Sequence, residues 1–147
     1  EKMLQEVEKH RTALLKVLDH IPVKIFLKDN EGKMLIVNKK VLDVHDTTEQ
    51  ELLGKSDFDF IDDYNVAKKL WDAEQEIIHK GEAYHEVHKE TVNESEIILD
   101  STKYPFYIDY LDETGILGVQ LDVTDKARLE EEVEKLKKII EKLKKQQ

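Results

Sequence analysis

The spacing of apolar residues changes near residue 124 and divides the C-terminal part of the chain into a strand and a helix. Before this point Leu117, Val119 and Leu121 alternate with other residues, which predicts a strand with one buried face. Thr124 and Asp125 then offer oxygens that accept the free N–H groups of a first helical turn. After it, apolar residues recur alternately four and three positions apart, which indicates a coiled-coil seam. The seam residues are Leu129, Val133, Leu136, Ile140 and Leu143.

The first 20 residues also have a helical pattern, and Pro22 ends it because the residue before a proline avoids the helical region. Arg11 stands at the missing position of its apolar seam. The seam residues are Leu4, Val7, Leu14, Leu18 and Ile21. Two interpretations remain open. The helix either packs on the domain that follows or enters as a coiled coil from an upstream domain.

The segment after Pro22 predicts a hairpin and short helices. Residues 24–28 and 34–37 are apolar runs on either side of an Asp/Asn/Gly turn, which is typical of a β-hairpin. Asn38 and Thr48 are each placed to cap a short helix.

The next segment begins with an acidic, aromatic loop and then changes from helix to strands. We expect Phe58, Phe60 and Ile61 of the loop at residues 56–63 to be buried nearby. Helical spacing follows from residue 66 to 78, up to Gly81. The period then becomes two, with strands at 84–91 and 96–107 and turns at 92–95 and 112–115. Five strands without βαβ alternation predict an α+β domain with an antiparallel sheet and helices over one face.

Composition narrows the class of protein. A length of 147 residues fits one domain, and 39% apolar residues argue against disorder despite 38% charged residues. The formal net charge of −10 disfavours a nucleic-acid partner, which would require a basic face. The chain has no long uncharged apolar run and no signal peptide, so we expect a cytoplasmic location, although the full-length protein could be membrane-anchored. Zero cysteines exclude a disulfide, a thiolate metal site and a cysteine nucleophile.

Four short motifs occur in order along the chain. They are Phe26-Leu-Lys-Asp-Asn-Glu-Gly-Lys33 followed by Val37-Asn38, Leu53-Gly-Lys-Ser-Asp-Phe-Asp-Phe60, Ser101-Thr-Lys-Tyr-Pro105, and Gly118 leading to Asp122-Val-Thr124. Together they resemble the PAS sensor domain family over about residues 12–127. Each motif alone is weak, but four in this order are specific. Val123 is a conservative departure from the family's Asp-Ile-Thr triad.

The resemblance implies a fold and a role. The fold is a five-stranded antiparallel sheet in the order 2-1-5-4-3, with helices across one face and a pocket between them. Asp122 and Thr124 would couple the sheet to the following helix, and relatives commonly form parallel dimers. Most relatives lie upstream of an output domain such as a histidine kinase or a diguanylate cyclase. We therefore divide the chain into a flanking helix (1–21), a PAS domain (22–124) and a C-terminal coiled-coil signalling helix (125–147).

Catalysis and metal binding have no support in the sequence. No phosphate-binding glycine loop or Ser/His/Asp constellation occurs, so we expect no catalysis by this segment. The resemblance to the PAS family implies that it is a regulatory segment of a larger enzyme. His85 and His88 point to opposite faces of a predicted strand and cannot share a metal. Haem-binding relatives use a histidine on the helix that matches residues 66–79, where this chain has only His79 in the last turn, so haem is disfavoured. The absence of cysteine excludes a cysteine-adduct flavin.

A small-molecule pocket is the remaining site hypothesis, because ligand sites combine apolar walls with a few convergent polar groups. Its predicted residues are Phe58, Tyr64, Leu70, Trp71, Ile77, His85, Thr102, Tyr104 and Val119, with Lys103 as a further polar candidate. The alternative is a closed core that serves only interactions, since a domain of this size needs such residues for its core.

The preferred hypothesis is a signalling relay. A ligand, or motion of residues 1–20, would shift the sheet. Asp122 and Thr124 would transmit the shift to the pairing of two seam helices in a homodimer. A structural dimerisation domain without a ligand is the alternative.

Overall fold

A computed structural model of the chain describes residues 1–92 and 94–146. The helices are α1 (Lys2–Asp19), α2 (Lys39–His45), α3 (Glu49–Leu52), α4 (Asp57–Phe60), α5 (Tyr64–Lys80) and α6 (Thr124–Lys145), with a 3₁₀ turn at Asp109–Leu111. The strands are β1 (Lys24–Lys28), β2 (Met34–Val37), β3 (Tyr84–Val92), β4 (Ser95–Ile108) and β5 (Glu113–Asp122). Asn93, in the turn predicted at 92–95, lies outside the described residues. Within the part described, no helix is both long and apolar enough to cross a membrane.

The five strands form one antiparallel sheet in the order β2-β1-β5-β4-β3, which confirms the predicted fold class and strand order. In the centre, β1 pairs with β5 so that Phe26 lies opposite Gly118 and Lys28 opposite Ile116. The Phe26 ring lies where a side chain at position 118 would be: a Cβ there would come within 2.1 Å of it. Glycine is therefore required for the ring to lie across the sheet.

The chain divides into two compact units. The first comprises Glu1–Glu86 and Ser101–Leu121, and the second comprises Val87–Asp100 and Asp122–Gln147. In the first unit, apolar residues of β2, α2 and α3 form a buried cluster against which Phe26 packs. The cluster consists of Met34, Val37, Val41 and Leu52. It buries one side of the hairpin predicted from residues 24–37.

Asn38 is only 1% exposed, and its side chain connects four segments of the first unit. Its Oδ1 accepts hydrogen bonds from the Ile25 N–H (3.0 Å) and the Val41 N–H (3.4 Å). Its Nδ2 donates to the Leu18 carbonyl (3.2 Å) and the Val23 carbonyl (2.6 Å). The predicted helix cap therefore also fixes the end of α1 and the start of β1.

The segment 56–63 differs from the predicted loop because it contains the single turn α4. The Ser56 N–H donates to the Asp59 carboxylate in a capping box, which stabilises this turn. The predicted burial of two aromatic residues is wrong, because Phe58 and Phe60 are each 38% exposed. One turn of helix directs only part of its surface inward, and here Asp57 points inward to an ion pair.

The turn predicted at 112–115 also lies elsewhere. The 3₁₀ turn Asp109–Leu111 reverses the chain, and β5 already begins at Glu113. Asp112 adopts a left-handed conformation (φ 49°) and accepts a hydrogen bond from the Tyr107 hydroxyl. Aspartate tolerates this conformation better than most residues, which suits Asp112 to the end of the turn. The chain therefore reverses before residue 113, a few positions ahead of the predicted turn.

Candidate functional site

A cluster of four charged side chains lies between the sheet and the helices of the first unit. Lys28 Nζ donates to Asp57 Oδ2 (2.8 Å) and to Glu74 Oε1 (3.0 Å), and Lys103 Nζ donates to Glu74 Oε2 (2.7 Å). The side chains of Lys28 and Glu74 are 4% and 6% exposed, whereas those of Asp57 and Lys103 are 18% and 24% exposed. We call these residues the ion quartet. It joins β1, α4, α5 and β4, and its formal charges sum to zero.

The quartet shifts the titration of its two most buried members. Burial of Glu74 by itself raises the pKa of its carboxyl, but Lys28 and Lys103 outweigh this and hold that pKa below its ordinary value. Burial of Lys28 by itself lowers its pKa, but Glu74 and Asp57 raise the pKa above its ordinary value. Both groups are therefore charged in the folded chain at neutral pH.

Lowering the pH is expected to reduce the stability of the unsubstituted chain by more than it reduces the stability of a Glu74→Gln variant. The ordinary pKa of the Glu74 carboxyl is near 4.5, and its folded pKa is lower. Below pH 4.5 the unfolded chain therefore takes up a proton that the folded chain does not, and stability is lost as the pH falls through the folded pKa. Urea denaturation from about pH 7 to about pH 3 measures this difference. Identical pH dependence in the two chains would contradict the assignment.

A cavity of about 490 Å³ lies beside Lys103 in the same unit. Its lining residues are Leu70, Ala73, Glu76, Ile77, Lys80, Glu82, Ala83, Tyr84, Glu86, Ser101 and Lys103. Helix α5 supplies an apolar wall, while β4 supplies Ser101 and Lys103. The Ser101 Oγ accepts a hydrogen bond from Gln120 Nε2 at 2.8 Å. The cavity therefore combines an apolar wall, two polar side chains of β4 and four further charged residues: Glu76, Lys80, Glu82 and Glu86.

The predicted pocket residues fall into separate groups. Leu70 and Ile77 line the cavity. Phe58 contacts Tyr64 and Trp71, with ring centroids 5.6 Å and 6.1 Å apart. Trp71 also packs on the hairpin turn, because a Cβ at Gly32 would lie 3.2 Å from its ring. These three aromatic residues form a cluster that is not part of the cavity lining.

The other predicted pocket residues lie on strands. Thr102 and Tyr104 alternate along β4 with Ser101 and Lys103, so they lie on the opposite face of the sheet from the cavity. The remaining two are not part of the cavity lining. His85 directly follows the lining residue Tyr84, and Val119 directly follows Gly118 on β5. A ligand role for any of these residues stays a prediction.

Sequence reasoning named Lys103 but missed Lys28, Asp57, Glu74 and Ser101. One signal could have identified Glu74. It lies four residues after Leu70 and three before Ile77, on the apolar stripe of α5, where a carboxylate requires a cationic partner. The identity of that partner is not visible in the sequence, because Lys28 is 46 residues away.

The start of α6 is attached to β4 within the second unit. The Ile98 N–H donates to Thr124 Oγ1 and the Val123 N–H donates to the Ile98 carbonyl, both at 2.9 Å. Asp122 Oδ1 in turn accepts the Thr124 N–H at 2.9 Å. Thr124 is buried, so this clamp, formed by residues 122–124 on Ile98, fixes the first turn of α6.

The apolar seams of both terminal helices are exposed in the single chain. All five predicted seam residues of α6 are between 48% and 68% exposed. Helix α1 buries none of its residues, and Leu4 and Val7 are 71% and 58% exposed. The end of α1 nonetheless contacts Asn38 and Lys39 through Leu18 and Asp19, so both interpretations of this helix stay predictions.

Within residues 1–92 and 94–146, no three histidine, aspartate or glutamate side chains converge in a way that could hold a metal ion.

Comparisons with known proteins agree with this fold. A sequence model described as "PAS domain" matches residues 22–125. The PAS domain of BvgS from Bordetella pertussis is similar in structure, with a TM-score of 0.64 and 22% identity over 88% of this chain and 98% of that one. A phage VqmA–DPO complex has a TM-score of 0.65 and 17% identity over 91% of this chain and 62% of that one.

A sequence relative adds the context of a whole protein. A diguanylate cyclase of Vibrio cholerae serotype O1 is 30% identical over 122 residues, which cover 82% of this chain. The chain spans only 38% of the length of that relative. Because the family match covers most of residues 1–147 and the strand order agrees with it, this chain belongs to the PAS domain family, whose members are signal-sensing modules.

Proposed function

We propose that this PAS domain transmits the state of its cavity through α6 to an output domain that follows it. The observation that carries this proposal is the clamp of residues 122–124 on Ile98. The same strand, β4, carries Ile98 at the clamp and, three and five residues later, Ser101 and Lys103 at the cavity. A change that alters β4 at the cavity would therefore act on the strand to which α6 is attached.

The proposed readout is the pairing of two α6 helices in a parallel homodimer. A groove along α6 is lined by Leu129 and Val133 and by charged residues beside them. The charged residues are Lys126, Glu130, Glu134 and Lys137. Apolar a and d positions between charged edges are the arrangement of a two-stranded coiled coil. Burying a leucine-sized side chain fully contributes about 1.5–3 kcal/mol, so pairing offers a substantial driving force.

The output domain is proposed from the comparisons. The Vibrio cholerae relative is a diguanylate cyclase, which favours an output domain of that type over a histidine kinase. The net charge of −10 disfavours a nucleic-acid partner, because binding to phosphates requires a basic face. We therefore propose that the chain is the regulatory part of a signalling enzyme and does not itself catalyse a reaction.

A second candidate is a closed-core dimerisation domain. The ion quartet favours it, because salt bridges occupy the space between α5 and the sheet that a ligand could otherwise fill. In that case α6 would still pair, but no small molecule would enter the cavity beside Lys103.

Thr124→Ala and Asp122→Ala are each expected to uncouple the output. A chimera in which this chain replaces the matched segment of the Vibrio cholerae diguanylate cyclase provides the assay. Each substitution is expected to lower cyclic diguanylate formation about fivefold or more, because a coupling of about 1–3 kcal/mol is lost. The helix content of the isolated chain should be unchanged.

Asp125→Ala is the matched control for the clamp, because Asp125 lies in the same helical turn and is exposed. It is expected to leave the output within about twofold of the unsubstituted chimera, since surface substitutions usually have small effects. Equal output from all three variants would contradict a relay through the clamp.

A further inference from the structure

Lys103 presents unused hydrogen-bond donors to the cavity. Its ammonium carries three N–H donors. Among residues 1–92 and 94–146, its one partner is Glu74 Oε2, at 2.7 Å. Two donors therefore remain for a molecule in the cavity that Lys103 lines.

Ser101 presents a further donor on the same side of the strand. Its Oγ already accepts a hydrogen bond from Gln120 Nε2, so its own hydroxyl hydrogen is available to donate. Ser101 and Lys103 are two positions apart on β4 and share one face, at a spacing of about 7 Å along the strand. A molecule in the cavity thus meets two side chains that both donate.

Helix α5 contributes apolar side chains to the lining, namely Leu70, Ala73 and Ile77. These side chains offer no hydrogen bonds. They stabilise a ligand only by removing its apolar surface from water. A matching molecule therefore has an acceptor group at one edge and an apolar flank.

The charged residues that line the cavity, together with the quartet, determine which ligand charge is favoured. Lys28 and Lys103 balance Asp57 and Glu74, so no unpaired positive charge is left for an anion to neutralise. A carboxylate at Lys103 would also lie close to Glu74, and a cation there would face the Lys103 ammonium. The other charged lining residues are Glu76, Lys80, Glu82 and Glu86, and all four are exposed, so solvent screens their fields. Three of these four are acidic, which further disfavours an anion.

We propose that the cavity binds a small uncharged molecule that has a hydrogen-bond acceptor and an apolar flank, with Ser101 and Lys103 as its donors. The cavity volume of about 490 Å³ lies in the range of small-molecule sites, about 300–1,000 Å³. This inference rests on the proposed sensing function and specifies the ligand class that the same site accepts.

Three probes of nearly equal shape test the ligand class. Benzamide, benzoate and benzamidine differ chiefly in charge and in the ability to accept a hydrogen bond. Each is titrated at millimolar concentration into the full chain, and the amide shifts of Ala73 and Ala83 at the cavity are followed by NMR. Benzamide is expected to bind about 3- to 10-fold more tightly than either charged probe, the range that one or two neutral hydrogen bonds supply.

Substitutions at the donors show whether the binding occurs as proposed. Lys103→Met and Ser101→Ala are each expected to lower the affinity for benzamide about 3- to 10-fold. Lys80→Met is the control, because Lys80 lines the rim of the cavity and lies outside the quartet. It should leave the affinity unchanged. If Lys103→Met fails to fold, Ser101→Ala decides, because Ser101 takes part in no described ion pair.

The outcomes separate this inference from the proposed function. Tighter binding of benzoate or benzamidine, or no effect of Ser101→Ala and Lys103→Met on benzamide, would overturn the ligand class and leave ligand sensing in place. No cavity shift with any probe would overturn both the ligand class and ligand sensing, and would favour the closed core.

Discussion

Replacing Lys28 with methionine is expected to lower the free energy of unfolding by about 3–5 kcal/mol, because removing one partner of a buried pair leaves an uncompensated buried charge. Lys28 is the cation that contacts both carboxylates of the quartet. Without it, Glu74 keeps only Lys103, and Asp57 loses its described ion pair. Chemical denaturation of the unsubstituted chain and the Lys28→Met variant measures the difference.

Two comparisons make this expectation specific. Lys68→Met removes the exposed ion pair with Asp72, whose side chains are 46% and 60% exposed, and should lower the stability far less, because solvent screens exposed pairs. The double variant Lys28→Met/Glu74→Met should recover part of the loss, since it replaces the two most buried charges with apolar residues and leaves only the more exposed Asp57 and Lys103, at 18% and 24%, without these partners. A loss at Lys28 no larger than the loss at Lys68 would contradict the structural role of the quartet.

Replacing Asn38 with alanine is expected to lower the free energy of unfolding by about 2–4 kcal/mol, because it leaves buried backbone groups without hydrogen bonds. The groups affected are the Ile25 N–H and the Val23 carbonyl, whereas the Leu18 carbonyl still accepts from the Ile21 N–H at 3.2 Å. Amide hydrogen exchange of Ile25 should accelerate together with the loss of stability, and this exchange is the specific measurement.

The variant Asn38→Asp distinguishes the contribution of the hydrogen bonds that the amide donates from that of the hydrogen bonds that it accepts. The carboxylate can still accept from Ile25 and Val41, but it faces the Val23 carbonyl, which the amide now contacts at 2.6 Å. It should therefore destabilise the chain at neutral pH and recover when the carboxyl is protonated, since a protonated carboxyl has one donor. Asn65→Ala, at an exposed position on α5, should change stability by less than about 0.5 kcal/mol. An Asn38→Ala effect as small as this would contradict the proposed network.

The local elements were predictable where side chains act on nearby backbone. The turn between β1 and β2 and the caps at Asn38 and Thr48 depend on residues within a few positions, and the structure has the hairpin, α2 and α3 at these places. Helix α4 was missed, because four residues are too short for apolar periodicity. The strand order came from the resemblance to a family, since the spacing of apolar residues contains no information on which strands pair.

The candidate site was predictable only in part. The apolar residues Leu70 and Ile77 follow from the stripe on α5, and both line the cavity. The alternation of β4 was available from the sequence, but nothing local indicates which face meets α5, so Thr102 and Tyr104 were chosen and Ser101 was not. That face becomes known only once Lys103 is seen to contact Glu74.

At the seam of α6 the predicted helix and the structure agree. The four- and three-residue spacing predicted a helix with one apolar stripe, and the single chain leaves that stripe exposed. An exposed stripe of this length is unfavourable in water unless a partner covers it. A relay through α6 therefore depends on whether two copies of the chain pair.

Native mass spectrometry of the chain tests this dependence most directly. Pairing of α6 predicts a dimer of about 35 kDa, twice the chain mass of 17.3 kDa, which the substitution Leu136→Glu in the seam converts to monomer. A monomer of 17.3 kDa for the unsubstituted chain at micromolar concentration would contradict the proposed relay.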